Sequence, residues 1–285
     1  RLADGSMPVI TLHHLLTHTA GLSYGFRQPL DGPYMKAGIS DGLDMPGRSF
    51  ADNLARISAI PLADAPGMKW GYSVALDVLG AALEAATGET LPTLVERLVT
   101  GPLGMHDTAF ICRDSERLAV AYGDSPDGPV RLSGTMVVLF AGTAGIRVTP
   151  DRYADPASFP SAGAGMLGTA GDFACFLEAI RMGGAPILKP ESVAQMMRSQ
   201  IGDLVVDNRG PGWSFGYGWA VLQDPAAATT PQQAGTIGWG GVYGHSWFVD
   251  PASRLTVIGL TNTGVAGMTG AFPMAIRDAV YAGLG

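Results

Sequence analysis

Residues 239–250 read Trp239-Gly240-Gly241-Val242-Tyr243-Gly244-His245-Ser246-Trp247-Phe248-Val249-Asp250. Paired glycines interrupt two apolar, strand-like runs, at 236–239 and 246–249. Residues 217–222 before them and 255–260 after them carry the same pattern. Four short strands with short links predict an antiparallel meander. Residues 273–282 read as a closing helix.

Working upstream, the period changes from two to that of helices. Ala75, Val78, Leu79, Ala82, Leu83 and Ala86 fall at i, i+3, i+4 spacing, and Gly88 follows where a glycine cap belongs. Ser49 with Asp52, and Thr169 with Asp172, have the spacing of capping boxes. The first opens a helix with Phe50, Leu54 and Ile57 on one face; the second opens one with Phe173, Phe176, Leu177 and Ile180. Shorter helices are expected at 11–18, 92–99 and 190–198, and short strand-like pieces at 107–150. The fold class is therefore α+β. A mostly helical region, approximately 10–185, is expected beside a sheet and C-terminal helix, approximately 186–285, in one catalytic domain over 1–285.

Composition narrows the function. The 285 residues are 47% hydrophobic and 15% charged, a globular balance. Net charge is −7, with three lysines and no basic run, which argues against nucleic acid as a partner. No apolar stretch is long enough for a membrane helix. Cys112 and Cys175 offer neither a disulfide framework nor a metal cluster. Cys175 is expected on the apolar face of its helix as a buried thiol. The compartment stays open.

Four constellations could carry chemistry. Gly212-Trp213-Ser214-Phe215-Gly216 fits G-x-S-x-G, but Gly210 and Pro211 precede it and a strand-like run follows. The nucleophile elbow needs a strand before its serine and a helix after it, so a loop entering a strand is the better reading. His14 and His18 are four apart on a helix face, yet Leu15 stands where a zinc peptidase has its glutamate. Local hydrogen bonding of these histidines is the better reading. Tyr72 opens the strongest helix, where the N–H dipoles favour a phenolate and a nearby ammonium would lower its pKa toward general-base work; packing or a helix cap is the other reading. The glycines after Trp239 fit either a close substrate approach with an oxyanion-binding N–H or a plain hairpin. These two readings remain open at this point.

Taken in order, LLTHTAGL at 15–22, Tyr72-Ser73-Val74, PLGMHDT at 102–108 and the late Trp-Gly-Gly strand resemble the class C β-lactamase-like serine hydrolases. That group includes DD-peptidases, class C β-lactamases and family VIII carboxylesterases. ISDG at 39–42 and the 239–250 stretch resemble the family VIII esterases most, and the likeness runs along the whole chain. It implies a β-lactamase/transpeptidase-like fold, an antiparallel sheet flanked by helices, and acyl transfer through a serine with no cofactor and no metal.

The resemblance also implies roles. Tyr72 matches the tyrosine of the Tyr-x-Asn motif and would be the base. Trp239, Gly240 and Gly241 match the third motif, and the Val242 N–H would supply half of an oxyanion hole. Tyr24 would line the site, Asp77 would orient groups near Tyr72, and His245 and Trp247 would shape the pocket. The family's S-x-x-K motif is not found: Lys36, Lys69 and Lys189 each have a proline three positions before. The nucleophilic Ser and Lys are expected upstream of Arg1, on further residues or a separate N-terminal fragment, leaving these 285 residues inactive alone. Without that segment a gap in the core and an open sheet edge are expected. Val74 for asparagine and Trp239 for a cation favour a small-molecule ester over a β-lactam. A β-lactamase or DD-peptidase of the same fold and a non-catalytic scaffold are the alternatives.

Overall fold

The computed structural model describes residues 1–45, 47–140 and 142–284. Eight α-helices are seen among these residues: α1 (Leu12–Leu16), α2 (Pro33–Lys36), α3 (Phe50–Ala59), α4 (Ala75–Thr87), α5 (Leu91–Val95), α6 (Ala170–Arg181), α7 (Pro190–Met196) and α8 (Ala271–Ala282). The strands are β1 (Tyr122–Gly123), β2 (Val130–Arg131), β3 (Met136–Val138), β4 (Ile146–Val148), β5 (Trp213–Phe215), β6 (Ala220–Leu222), β7 (Ile237–Gly241), β8 (His245–Asp250), β9 (Leu255–Leu260) and β10 (Thr263–Gly264).

The five strands β5-β6-β7-β8-β9 form one antiparallel meander, with Trp239 opposite Trp247 and Gly241 opposite His245. Residues 217–219 do not join it. A turn at Gly218, with φ of 96°, delays β6 to Ala220, and the residues read as a loop at 213–215 form the edge strand β5. Alternation along β8 divides the faces. Trp247 and Val249 pack with Leu177, Ile180 and Val193 of α6 and α7, while Phe248 stacks on Tyr281 of α8.

The caps form as their spacing demands. Ser49 Oγ accepts from the Asp52 N–H and Thr169 Oγ1 from the Asp172 N–H, each satisfying a free helix N–H. Gly88 closes α4 in the left-handed region at φ of 72°. The helix expected over 92–99 starts as α5 and widens into a π-helical turn, Glu96–Thr100. Cys175 is exposed, contrary to expectation. Two residues beyond Phe173 it is rotated about 200° from the apolar stripe, so it faces outward.

A second core joins α1, α3, α4 and the β3–β4 hairpin around Leu15, Ile57, Val74 and Val148. A third, around Trp70, Val206, Phe215 and Ala220, bridges it to the sheet. The far end is tied by β10, which pairs parallel to β1 with Tyr122 opposite Thr263. Asp124 accepts the Val265 N–H there at 2.8 Å.

The β7–β8 turn depends on Gly244. It has φ of 102°, and a Cβ there would lie 2.3 Å from Thr261 Oγ1 and 2.4 Å from the Thr263 carbonyl oxygen. Gly244→Ala therefore combines backbone strain with overpacking and should cost about 3 kcal/mol or more. Gly128, at φ of 111° with nothing within 4 Å, should cost about 1 kcal/mol when changed to Ala. Urea unfolding of the two variants measures the difference; equal costs would remove the packing argument.

Candidate active site

Tyr72 sits in the loop before α4, two residues ahead of the Val74 N-cap. The segment after α1 fixes this loop. The Gly71 N–H donates to the His18 carbonyl at 2.8 Å, the Val74 N–H to the Ser23 carbonyl at 3.3 Å, and His18 Nδ1 lies 3.3 Å from Ser73 Oγ. His14 and His18 do not share a helix face as expected. The helix stops at Leu16, His14 caps its own N-terminus with Thr11, and His18 turns inward at φ of 56°. Burial drives the His18 pKa down to about 3, so its ring is a neutral wall.

That wall is one of several around the Tyr72 phenol. Ring centroids lie at 4.8 Å for Tyr24, 4.9 Å for His18 and 5.1 Å for Trp239. Phe215 backs Trp239 at 5.4 Å. The Trp239 indole N–H donates to the Tyr72 oxygen at 3.3 Å, joining the loop before α4 to β7. A lowered Tyr72 pKa is expected from a nearby ammonium; within these residues the shift is upward. Burial raises it, while the Trp239 N–H, the Tyr24 hydroxyl and the Arg209 charge pull the other way. Dipoles at the start of α4 do not offset removal from water.

Tyr24 is buried and stacked on Phe26 at 5.0 Å. Asp41 of the ISDG stretch holds the turn that carries it, accepting the Gly25 N–H at 2.7 Å and the Phe26 N–H at 3.1 Å. Burial nevertheless raises the Asp41 pKa to about 7. Asp77, in the first turn of α4, is 1% exposed. One carboxylate oxygen faces the Gly163 N–H at 3.5 Å, and Oδ2 has no partner among the described residues. Burial lifts its pKa to about 6. Gly163 is the spacer between these groups: a Cβ there would lie 2.9 Å from the Tyr24 hydroxyl and 3.3 Å from Asp77 Oδ2.

On the sheet side, Val242 follows β7, and its N–H makes no hydrogen bond among the described residues. The neighbouring glycines serve internal packing. A Cβ on Gly240 would meet the His245 carbonyl at 2.7 Å and Met268 Cγ at 2.9 Å, and one on Gly241 would meet His245 Nδ1 at 3.0 Å. Trp247 packs edge-on against Phe173 at 5.6 Å and Trp219 at 6.2 Å. Tyr24, Tyr72, Trp239, Gly240, Gly241, Val242 and His245 all border one crevice of about 1860 Å³. Asp77 stands behind that wall, beneath Tyr24 and Gly163.

Two side chains that the sequence reading passed over belong here. Arg209, in the loop before β5, lies 4.9 Å over the Trp239 ring and 5.4 Å from the Trp213 ring. Nothing local in its sequence announces this, because its partners come from other segments. Ser214, by contrast, is buried in β5 with its hydroxyl 2.7 Å from Ser199 Oγ.

Asp77 has a measurable signature. Its folded pKa of about 6 lies above the ordinary 3.8, so the folded chain binds more protons than the unfolded chain between those values. Ionised Asp77 therefore destabilises the fold above about pH 6, and protonation relieves this as pH falls. Asp77→Asn should raise the unfolding free energy by up to about 3 kcal/mol at about pH 8. The gain should vanish below about pH 4. A gain of equal size at both pH values, in urea titrations, would rule out the electrostatic cause.

The Beta-lactamase family model matches residues 4–279. The chain is 51% identical over 284 residues to Esterase EstB of Burkholderia gladioli, covering 99% of this chain and 72% of that protein. It is 27% identical over 262 residues to monacolin J acid methylbutanoyltransferase of Aspergillus terreus, covering 87% of this chain and 61% of that protein. The solved structure of EstCE1, described as a hydrolase with promiscuous acyltransferase activity, matches at a TM-score of 0.93 and 43% identity, covering 98% of this chain and 74% of that one. With a model spanning nearly its full length and an esterase relative over half identical, the chain belongs to the Beta-lactamase family.

Proposed function

We propose that this protein is a serine carboxylesterase that cleaves short-chain esters through an acyl-enzyme, with Tyr72 as its general base. The observation that carries the reading is the Tyr72 oxygen, bordering the crevice and hydrogen-bonded to Trp239. The 51% identity to an esterase supports it. A serine hydroxyl adds to the ester carbonyl and its proton passes to Tyr72, assisted by a lysine. The Val242 N–H stabilises the oxyanion, a contribution worth roughly 10²–10³ in rate for each such donor. The carbon–oxygen bond then breaks, Tyr72 returns the proton to the departing alcohol, and water releases the acid by the same steps.

The serine and lysine belong to an S-x-x-K segment that residues 1–285 do not contain. A crevice of about 1860 Å³ exceeds the roughly 300–1,000 Å³ of ordinary ligand sites, which supports further polypeptide filling part of it. So do the free edge of β9 and the half-exposed Phe272 and Met274 of α8. A neutral phenol with a raised pKa is a poor base alone, and an adjacent lysine ammonium would bring it into range.

In the protein carrying its S-x-x-K segment, Tyr72→Phe should lower kcat on a p-nitrophenyl butyrate substrate by roughly 10²–10⁴. Ser214→Ala should leave it unchanged. A phosphonate probe should label a serine outside residues 1–285. Labelling of Ser214, or faster opening of nitrocefin than cleavage of the ester, would sink the assignment.

A further inference from the structure

We propose that Arg209, framed by Trp213 and Trp239, is a carboxylate-binding subsite, and that this enzyme prefers esters bearing a carboxylate. The inference rests on the ester hydrolase reading above and concerns which esters the site selects. Of the arginines that border the crevice, Arg27, Arg117 and Arg277 are each held by a carboxylate, from Asp207, Asp107 and Asp278. Arg131 lies exposed at the rim. Arg209 has no carboxylate within 4.0 Å among the described residues, and its guanidinium donates no hydrogen bond to a described group. The nearest acid in sequence, Asp207, is 2.5 Å from Arg27 and thereby occupied.

A half-buried guanidinium without a partner is costly. Two indoles, with the guanidinium carbon 4.9 and 5.4 Å from their centroids, offset part of that cost through their π faces. They leave the donors at the guanidinium edge free. Burial pulls the Arg209 pKa down to about 10, yet the group stays cationic at neutral pH. Such a planar fork matches a carboxylate with two parallel hydrogen bonds. The place is also right for selection. Trp239 touches Arg209 with its ring and Tyr72 with its N–H, so an anion at Arg209 lies one indole away from the reacting bond.

The carboxylate can sit on either half of the ester, and two substrate pairs separate the cases. Mono-p-nitrophenyl glutarate against p-nitrophenyl valerate places it on the acyl half. Butyryloxyacetate against ethyl butyrate places it on the alcohol half. With the full-length protein, Arg209→Met should lower the ratio of kcat/KM for charged over neutral ester by roughly 10- to 100-fold in one pair. Arg209→Lys should retain part of the preference, and rising salt should erode the ratio in the wild type only. An unchanged ratio in both pairs overturns the proposal. So does a parallel fall for charged and neutral esters alike, since that would make Arg209 a support for Tyr72 and not a reader of substrate. Tryptophan fluorescence titrated with glutaramate, which carries a carboxylate and no ester, gives a readout without turnover, expected in the wild type, lost in Arg209→Met and absent with glutaramide. If no ester is hydrolysed the esterase reading fails, while this titration still decides the role of Arg209; a wild type that gives no response overturns it.

Discussion

The hydrogen bond from the Trp239 indole to the Tyr72 oxygen crosses the boundary between the helical region and the sheet. Around it, Trp70, His18, Phe215 and Tyr24 close a shell of aromatic rings drawn from four separate segments. This shell fixes the angle at which the loop before α4 meets β7. Trp239 in turn carries the Arg209 guanidinium over its ring. An aromatic shell suits the task because rings carry large contact areas with few rotatable bonds.

The same shell sets a tension in the chemistry. Excluding water from Tyr72 strengthens every charge that acts on it, yet disfavours the phenolate. Asp77 and Asp41 lie under the same constraint, and burial raises both. Three acids crowded beneath one surface are a poor choice for stability. They are held there by N–H donors at Gly25, Phe26 and Gly163 and by the lack of room for anything larger at Gly163. Function sites commonly carry such cost.

Much of the fold was legible because its signals are local. Capping at Ser49 and Thr169, the glycine at the end of α4 and the β9 run each depend on residues within one or two turns. The errors arose where partners are distant. The start of β6 moved because the turn at Gly216–Gly218 packs on α7, where a Cβ on Gly216 would meet the Met196 carbonyl at 2.1 Å. His18 lost its helix because its ring is needed behind Tyr72. The motifs at 15–22, 72–74 and 239–241 marked Tyr72 and Trp239 through resemblance. Arg209 carried no mark, since what distinguishes it is the lack of a carboxylate partner among the described residues, which only the fold reveals.

The parallel pairing of β1 with β10 and the Tyr72–Trp239 contact both join distant parts of the chain. Tyr122 must wait for Thr263, and Tyr72 for Trp239, so both ends of the crevice close over long stretches of chain. Closures of this kind come late and slowly in folding. During synthesis α1 to α7 emerge before the strands of the meander and can settle among themselves, because their caps and stripes are local. The cleft between them and the sheet has no partial form. Its Tyr72–Trp239 contact needs β7, so a chain arrested before residue 237 would hold α1 to α7 and lack the sheet wall of the crevice.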